Sequence, residues 1–218
     1  MKKGFTLAEV LITLGVIGVV AAITTPILMK NYQRHVTVNR LKKAYTTLSQ
    51  AMQFAQNEYG DLENWDYSLT CEEYMKEYIS PYVKKIKSSS TTYYLTNGTE
   101  IYCSKVVMAG RPLYSLRVDI NGKKSPNILG KDRFLFYIFN KASTVYITGL
   151  GNAAKNITKS GLYPDGYGFS RNVLKNDTWR GCNRRNDDTA LGKDYDVGAY
   201  CTGLIIHDGW KISDDYNW

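Results

Sequence analysis

The sequence opens with the stretch that decides the fold, Met1–Met29, which reads MKKGFTLAEVLITLGVIGVVAAITTPILM. From Val10 to Met29 no side chain is charged. In an α-helix, a run of about twenty residues is long enough to cross the hydrocarbon core of a bilayer. Lys2 and Lys3 precede this run, and the positive-inside tendency therefore places the N terminus in the cytoplasm. The stretch predicts a membrane-spanning helix over about residues 10–29, with the rest of the chain exported.

Two residues in this stretch are unusual for a plain membrane anchor. An ionised carboxylate such as Glu9 costs roughly 2.5 to 3.5 kcal/mol in mid-membrane, so it needs a shallow position or a cationic partner. Gly4 separates the cationic end from Phe5 and the apolar helix, and it presents a cleavable peptide bond at the membrane face. Together the residues KKGFTLAE resemble the class III signal of type IV pilins and type II secretion pseudopilins.

The resemblance implies processing and assembly. In that family a prepilin peptidase cuts after the glycine and methylates the new N-terminal residue. Carried over, the cut falls between Gly4 and Phe5, and Phe5 becomes N-methylated. Glu9 becomes the assembly residue, because its carboxylate can neutralise the new ammonium group of a neighbouring subunit in a low-dielectric core. Pro26 falls where the family carries a helix-loosening proline, and it predicts a kink or local melting near residues 22–26.

Two simpler interpretations remain open. A secretory signal peptide has the same Lys-Lys start, but it needs a short apolar core and a clean A-x-A-like site, which is absent near Ala21 and Ala22. An uncleaved anchor is compatible with Glu9 if that side chain reaches the headgroups. The pilin-like interpretation is the one that accounts for both Gly4 and Glu9.

Composition bounds the exported part. The 218 residues carry a formal charge of +8, and a chain of this length with one span leaves room for a single domain with its own core. A basic balance favours acidic partners such as anionic lipid, nucleic acid or acidic polysaccharide. The cations are scattered, however, with the densest groups at residues 40–43 and 84–87. This distribution favours a solvated basic surface over a dedicated nucleic-acid site.

The four cysteines all lie on the exported side. An even number in an oxidising compartment suggests two disulfides, with three possible connectivities. We favour the pairs Cys71–Cys103 and Cys182–Cys201, because the second pair would staple a loop with few apolar residues. Buried free thiols are the alternative. The sequence has no C-x-x-C, which argues against a zinc knuckle.

Helical periodicity appears in two places. Apolar residues recur at intervals of three and four from Leu41 to Ala55, so the first helix is predicted to continue to about Asn57 and to end at Gly60. A second helical segment is predicted over about Cys71–Ile86. Thr70 and Glu73 have capping-box spacing at its start, and Pro81 should split it. Its stripe of Tyr and Met is a packing surface rather than a cofactor site.

From Thr91 the apolar period changes to two. Strands are predicted at Thr92–Leu95, Glu100–Met108, Leu113–Ile120 and Arg133–Phe139, with a tight primed turn at Asn97-Gly98. These make a four-stranded antiparallel sheet whose apolar face the first helix can cover. The expected fold is therefore α+β and pilin-like: a long N-terminal helix packed on a four-stranded sheet, with a loop-rich C-terminal region.

The connection between the last two predicted strands resembles a second pilin-like element. Its residues VDINGKKSPN, followed by GKDRF, match a D-x-N-G … P-N-x-x-G-x-D-x-F segment found in the heads of many bacterial pilin-like proteins. Asp119, Asn121 and Asp132 invite a calcium interpretation, but Lys123 stands where an EF-hand needs an oxygen ligand. Turn chemistry explains the segment without a metal.

The C-terminal third gives weaker signals. Periodicity is lost from Thr148 to Ala199, which predicts mostly loop with one or two short strands. Its aspartates, which are Asp187, Asp188, Asp194 and Asp196, are interpreted as a solvated acidic loop in preference to a cation site. Residues 200–212 predict a buried apolar element, an Asp-Gly turn and an edge strand.

Catalytic motifs are missing from the sequence. The only histidines are His35 and His207, and there is no G-x-S-x-G, phosphate loop or His cluster for a metal. Cys201 and His207 resemble a nucleophile and base, but a disulfide would disarm the thiol. We expect no enzyme activity, no cofactor and no metal.

These observations combine into one interpretation. The chain is predicted to have a leader at residues 1–4, a stem helix at 5–57 and an exported head at 58–218. It is interpreted as a structural subunit, a pilin or minor pseudopilin, of a type IV pilus or type II secretion-like filament. Its expected partners are prepilin peptidase, other pilin subunits and an inner-membrane assembly platform. The expected location is the bacterial inner membrane with the head in the periplasm, and later an extracellular or periplasmic filament.

Two functions of other classes stay open. One is a monomeric, membrane-anchored periplasmic binding protein whose basic head binds DNA or glycan. The other is a secreted enzyme whose signal is removed near Ala22, which the missing catalytic set disfavours.

Overall fold

The structure is a computed structural model that describes residues 4, 6–108, 111–141, 143–146, 154–183 and 197–216. The chain divides into two compact units, residues 1–36 and 37–218. Helix α1 (Leu7–Tyr59) begins in the first unit and ends in the second. Each unit is described by itself.

The second part of α1 forms one wall of the core. Its buried stripe confirms the prediction for Leu41 to Ala55 and begins one turn earlier, at Val38. It consists of Val38, Leu41, Ala44, Leu48, Ala51, Met52 and Ala55. The helix ends where Gly60 adopts a φ of 80° and donates its backbone N–H to the carbonyl of Gln56 at 2.9 Å. This confirms the predicted stop at Gly60, since a left-handed residue after the last turn favours glycine.

Pro26 does not interrupt α1. The backbone is helical through residues 22–26 and beyond, so the local melting expected there is not observed. A kink at Pro26 stays a prediction.

Short helical turns connect α1 to the sheet. A 3-10 turn at Leu62–Asn64 is followed by helix α2 (Cys71–Tyr74), a π-helical turn at Met75–Ile79 and a 3-10 turn at Ser80–Tyr82. Thr70 caps α2 in the predicted capping box with Glu73. The helical segment ends at Tyr82, so the prediction that it reaches Ile86 was wrong; Ile86 lies in a strand.

Aromatic rings confirm that the Tyr-rich stripe of this segment is a packing surface. Tyr74 stacks on Tyr114 with ring centroids 3.9 Å apart, and Trp65 stacks on Tyr78 at 4.4 Å. All four side chains are buried. Burial raises the pKa of the Tyr74 hydroxyl well above its usual value, so this phenol stays protonated at physiological pH.

The main sheet has six antiparallel strands, two more than predicted. In spatial order they are β1 (Lys85–Ser88), β2 (Thr92–Leu95), β3 (Glu100–Met108), β4 (Arg111–Asp119), β5 (Arg133–Phe139) and β8 (Gly161–Pro164). The four predicted strands are the four central ones. Strand β1 lies partly in the segment predicted as helical, and β8 falls in the region where one or two short strands were expected but was not assigned to this sheet. A separate two-stranded sheet pairs β6 (Ser143–Tyr146) with β7 (Ala154–Ile157).

The β2–β3 turn differs from the expectation. Gly98 has a φ of 84°, but Asn97 does not have a positive φ. A primed two-residue turn needs a positive φ at both positions of Asn-Gly in type I′. Instead the N–H of Gly98 donates to the carbonyl of Leu95, and the N–H of Leu95 donates to the carbonyl of Thr99. The connection is a three-residue loop with Gly98 in the left-handed position.

The two faces of the sheet are covered differently. The inner face packs in one core with the stripe of α1 and with the short helices, through fully buried residues such as Leu116, Phe134 and Phe136. The outer face is buried toward β5, where Leu135, Tyr137 and Phe139 pack with Ile157. Toward β1 the outer face is open, with Lys87 and Tyr102 exposed.

The C-terminal region adds helices that the sequence did not predict. Helix α3 (Arg171–Asn176) follows β8, and helix α4 (Cys201–His207) is the buried apolar element. Thr202 on α4 accepts a hydrogen bond from the N–H of Leu135 at 2.9 Å and so joins α4 to β5. The edge strand expected after the Asp-Gly turn was wrong: residues 211–213 form no strand.

Candidate assembly segment and head surface

The N-terminal segment is positioned by a capping box at the start of α1. The backbone N–H and the hydroxyl of Thr6 each donate to Glu9 Oε2 at 2.8 Å, and the N–H of Glu9 donates to Thr6 Oγ1 at 3.3 Å. These bonds satisfy backbone donors that a helix start leaves unpaired. This role of Glu9 was not predicted, although its sequence signal, Thr-x-x-Glu before an apolar run, is present.

The cleavage position lies just before this box. Gly4 is exposed and lies outside α1. Phe5, the expected N-methylated residue, lies outside the described residues. The predicted cut between Gly4 and Phe5 therefore stays a prediction, and the same holds for the assembly role of Glu9.

The apolar surface after the box is exposed over its whole length. Every residue from Thr6 to Gln33 is exposed, and large side chains such as Leu14 and Ile23 expose 60% and 63% of their surface. By length and composition, α1 is the one helix among the described residues that qualifies to cross a membrane. Exposed apolar patches of this size mark a membrane or protein interface.

Both predicted disulfides are present in the structure. Cys71 at the start of α2 pairs with Cys103 on β3, with the Cα atoms 5.9 Å apart. Cys182 pairs with Cys201 at the start of α4, with a Cα–Cα distance of 4.7 Å. The first bridge fastens the short helices to the sheet, and the second fastens α4 to the chain that follows α3.

The loop between β4 and β5 is held by hydrogen bonds within the protein. The Asp132 carboxylate accepts the N–H groups of Asn127 and Ile128 at 2.8 and 2.7 Å, and Asp119 accepts from Arg133 Nε at 3.0 Å. Burial of Asp119 raises its pKa, an effect that the bond from Arg133 opposes. These carboxylates are engaged by N–H donors, so the segment that invited a calcium interpretation has a structural explanation.

Metal ligands do not converge elsewhere in the part of the chain that the structure describes: no group of three or more His, Cys, Asp or Glu side chains is placed to hold an ion. The four aspartates of the predicted acidic loop, Asp187, Asp188, Asp194 and Asp196, lie outside the described residues. The structure therefore leaves that interpretation as a prediction.

The Cys201–His207 pair has no free thiol, because Cys201 is in a disulfide. The ring of His207 instead lies 3.2 Å from Asp208 Oδ1.

Asp208 and Asp215 both belong to an ionic clamp centred on Arg171 of α3. Arg171 Nε and Nη2 donate to the two oxygens of Asp208 at 2.9 Å, and Nη2 also donates to Asp215 at 2.8 Å.

The clamp fixes the end of the described chain. Lys175 donates to Asp215 at 2.7 Å, and the hydrogen bonds from Arg171 and then Lys175 lower the pKa of Asp215. Burial raises the pKa of Asp208, but hydrogen bonds led by the one from Arg171 bring the net shift below its usual value. The next aromatic residue, Tyr216, is buried and donates to the Gly130 carbonyl at 2.8 Å. No sequence pattern predicts this clamp, because its partners are about forty residues apart in the chain.

The outer face of the sheet carries a second feature that the sequence analysis missed. Lys87 Nζ lies 4.7 Å from the ring centroid of Tyr94, and the Arg117 guanidinium lies 5.2 Å from that of Tyr102. Only the strand register reveals these pairs, since it places Lys87 opposite Tyr94 and Tyr102 opposite Arg117.

Comparison with known proteins gives two matches. A family model described as a family of unknown function, DUF6613, matches residues 27–218. A model described as the prokaryotic N-terminal methylation motif matches residues 1–25. The second match shows that the chain carries a prepilin signal of the type IV pilin and pseudopilin type. No curated protein and no solved structure matches the chain.

Proposed function

Because the chain belongs to the DUF6613 family, whose description assigns no activity, we propose its function from the N-terminal segment. The protein is a structural subunit, a pilin or minor pseudopilin, of a type IV pilus or type II secretion-like filament. Prepilin peptidase cleaves it after Gly4 and methylates Phe5. The leader is residues 1–4, the stem is 5–57 and the head is 58–218. The role is structural rather than enzymatic.

One observation carries this proposal: the methylation motif of residues 1–25 lies at the start of a helix whose apolar side chains are all exposed up to Met29. Burying one large aliphatic side chain is worth about 1.5 to 3 kcal/mol. A run of such residues is therefore unstable in water and requires either lipid or neighbouring helices. A filament subunit uses both, first the inner membrane and then the packed stems of other subunits.

Glu9 supplies the assembly step. Cleavage after Gly4 creates an ammonium group at Phe5, and among apolar helices such a charge needs a close anion. The Glu9 carboxylate of a neighbouring subunit provides it. The capping bonds from Thr6 use Oε2 of Glu9, and a carboxylate can accept further bonds through its other oxygen.

The partners follow from these steps. They are prepilin peptidase, other pilin subunits, and an inner-membrane assembly platform that lifts the subunit out of the bilayer. Before assembly the protein is a single-pass inner-membrane protein with its head in the periplasm. After assembly it lies in an extracellular or periplasmic filament.

The first test is the intact mass and N-terminal sequence of the membrane-extracted protein. We expect an N-methylated Phe5 terminus. A terminus at Met1 would leave a plain anchor, and a terminus near Ala22 would mean a secreted soluble domain. Either of these would overturn the filament proposal.

The second test separates assembly from processing. Glu9→Ala should abolish incorporation into filaments, while its terminus is still Phe5 and its head still unfolds at the wild-type denaturant concentration. Glu9→Asp is the matched control, because it keeps the charge and should retain part of the assembly. Filaments of normal yield with Glu9→Ala would exclude the pairing role of Glu9.

A further inference from the structure

The open part of the outer sheet face carries a row of four side chains on four neighbouring strands. In spatial order they are Lys87 on β1, Tyr94 on β2, Tyr102 on β3 and Arg117 on β4. The register places Lys87 opposite Tyr94 and Tyr102 opposite Arg117. Tyr94 is opposite Glu100, two residues from Tyr102, so the two tyrosines are diagonal neighbours. The row reads cation, aromatic, aromatic, cation.

These side chains share one face because residues directly opposite in an antiparallel pair point to the same side. Their chain neighbours Tyr93, Ile101, Cys103 and Leu116 point the other way and are buried in the core. Lys87 and Tyr102 are exposed, and Tyr94 and Arg117 are half-buried. The row is therefore on the surface, and its four positions are fixed by a sheet rather than by a loop.

From this arrangement we propose that the row is a binding site for single-stranded nucleic acid. Proteins that bind single strands combine a cationic surface for the phosphates with aromatic rings on which bases stack. Strands in a sheet are about 4.8 Å apart, and the two pairs are offset by two residues along the strands, so the backbone positions of the two cations are about 16 Å apart. That distance spans the two tyrosines, and it lets phosphates on both sides of two stacked bases meet a cation.

The charges around the row favour an anionic ligand at its two ends. Glu100 lies on the same face opposite Asp119, and Asp119 is held by Arg133 at 3.0 Å. Glu100 also lies directly opposite Tyr94, so its carboxylate borders the row on the side next to the β4–β5 loop. Lys87 and Arg117 are at the two ends of the row, and the formal charge of the whole chain is +8. A polyanion is the ligand class that this surface fits best.

The experiment measures binding of a fluorescently labelled oligothymidylate of about twelve nucleotides to the full-length protein in neutral detergent. We expect affinity that falls with salt, since counterions are released from the phosphates. Tyr102→Ala and Tyr94→Ala should each weaken binding roughly fivefold or more, because loss of one stacked base is worth a factor of that order. Lys87→Ala should lower the salt slope by about 0.7, the value for one phosphate of a single strand.

The controls remove the same groups elsewhere on the head. Tyr167→Ala removes a tyrosine that is 44% exposed in the turn after β8, and Lys43→Ala removes an exposed cation on α1. Both should bind like wild type. All variants should keep the wild-type unfolding curve, because the substituted side chains lie outside the core.

Three results would overturn the proposal. The first is an absence of oligonucleotide binding at low salt. The second is binding that Tyr102→Ala and Tyr94→Ala leave unchanged, since the bound site would then be elsewhere. The third is binding of an acidic polysaccharide, such as a heparin oligosaccharide, that the same variants weaken while the oligonucleotide does not bind; the row would then be a glycan site.

Discussion

The two parts of helix α1 use apolar residues in opposite ways. Before residue 34 the side chains are exposed all round, and Leu14 keeps 60% of its surface accessible. From Val38 onward the apolar residues form a single stripe, and Leu48 is fully buried in the head. From Val38 onward, buried apolar side chains of α1 stabilise the head. Before residue 34 the same type of side chain is exposed, as in a helix that packs against lipid or another protein. The continuity of a helix therefore does not indicate whether its apolar side chains pack within the head or against another surface.

The sharpest test of this difference is one substitution made in each part. Leu48→Ala should lower the free energy of unfolding of the head by about 3 kcal/mol, because it removes a buried side chain and leaves a cavity. Leu14→Ala should leave that free energy unchanged. The measurement is denaturant unfolding of the full-length protein in detergent, followed by tyrosine and tryptophan fluorescence. Equal effects of the two substitutions would mean that the first part of α1 also belongs to the cooperative unit of the head.

The same contrast explains how much of the fold could be predicted. The stripe from Leu41 to Ala55 and the alternation from Leu113 to Ile120 each extend over enough residues to show their period, and these elements are present as α1 and β4. Strand β8, which reads GLYP, shows no such signal and exists because β5 pairs with it. The continuous apolar run in α4 does not distinguish helix from strand by period alone.

The candidate sites divide in the same manner. Gly4 and Glu9 stand in a local motif within residues 1–25, so one short window of sequence is enough to predict roles for them. The Arg171–Asp215 clamp joins residues 44 positions apart, and the Tyr102–Arg117 pair needs the strand register. Contacts of this kind join residues that are far apart in the sequence and close together only in the fold. No pattern within a short window of sequence therefore predicts them.

A smaller effect distinguishes the head from the first part of α1 through their helix caps. The same capping box occurs at Thr70–Glu73 in the head and at Thr6–Glu9 in the first part of α1. Thr70→Ala should lower the free energy of unfolding of the head by about 1 kcal/mol, the usual value for the loss of an N-cap. Thr6→Ala should not change it. Denaturant unfolding of both variants gives the comparison.

Serine provides the control for the Thr70 cap. Thr70→Ser keeps the hydroxyl that accepts from the Glu73 N–H, so it should restore most of the stability lost in Thr70→Ala. If Thr70→Ser is as unstable as Thr70→Ala, the methyl group of Thr70 and not the cap would be the source of the effect.

The smallest expected effect is the acid sensitivity of the head, to which the clamp around Arg171 contributes. The pKa values of Asp208 and Asp215 are lowered in the folded head, whereas an unfolded Asp titrates near pH 3.9. A carboxylate with a lowered pKa contributes stability that is present above about pH 3.9 and is lost as the pH falls further. Asp215→Asn should therefore lower the stability at pH 7 slightly and flatten its decline below about pH 4.

The matched control for this effect is Asp61→Asn, which removes a carboxylate at the start of the Leu62–Asn64 turn and outside the clamp. It should leave the acid decline as steep as in wild type. Asp119 acts in the opposite sense, because burial raises its pKa, but it is common to all three proteins and cancels in the comparison. If Asp215→Asn declines as steeply as wild type between pH 4 and pH 2, the ionic bonds of Asp215 do not stabilise the head. The last described residues would then be held in place by the burial of Tyr216 and by its hydrogen bond to the Gly130 carbonyl. Neither group titrates between pH 4 and pH 2.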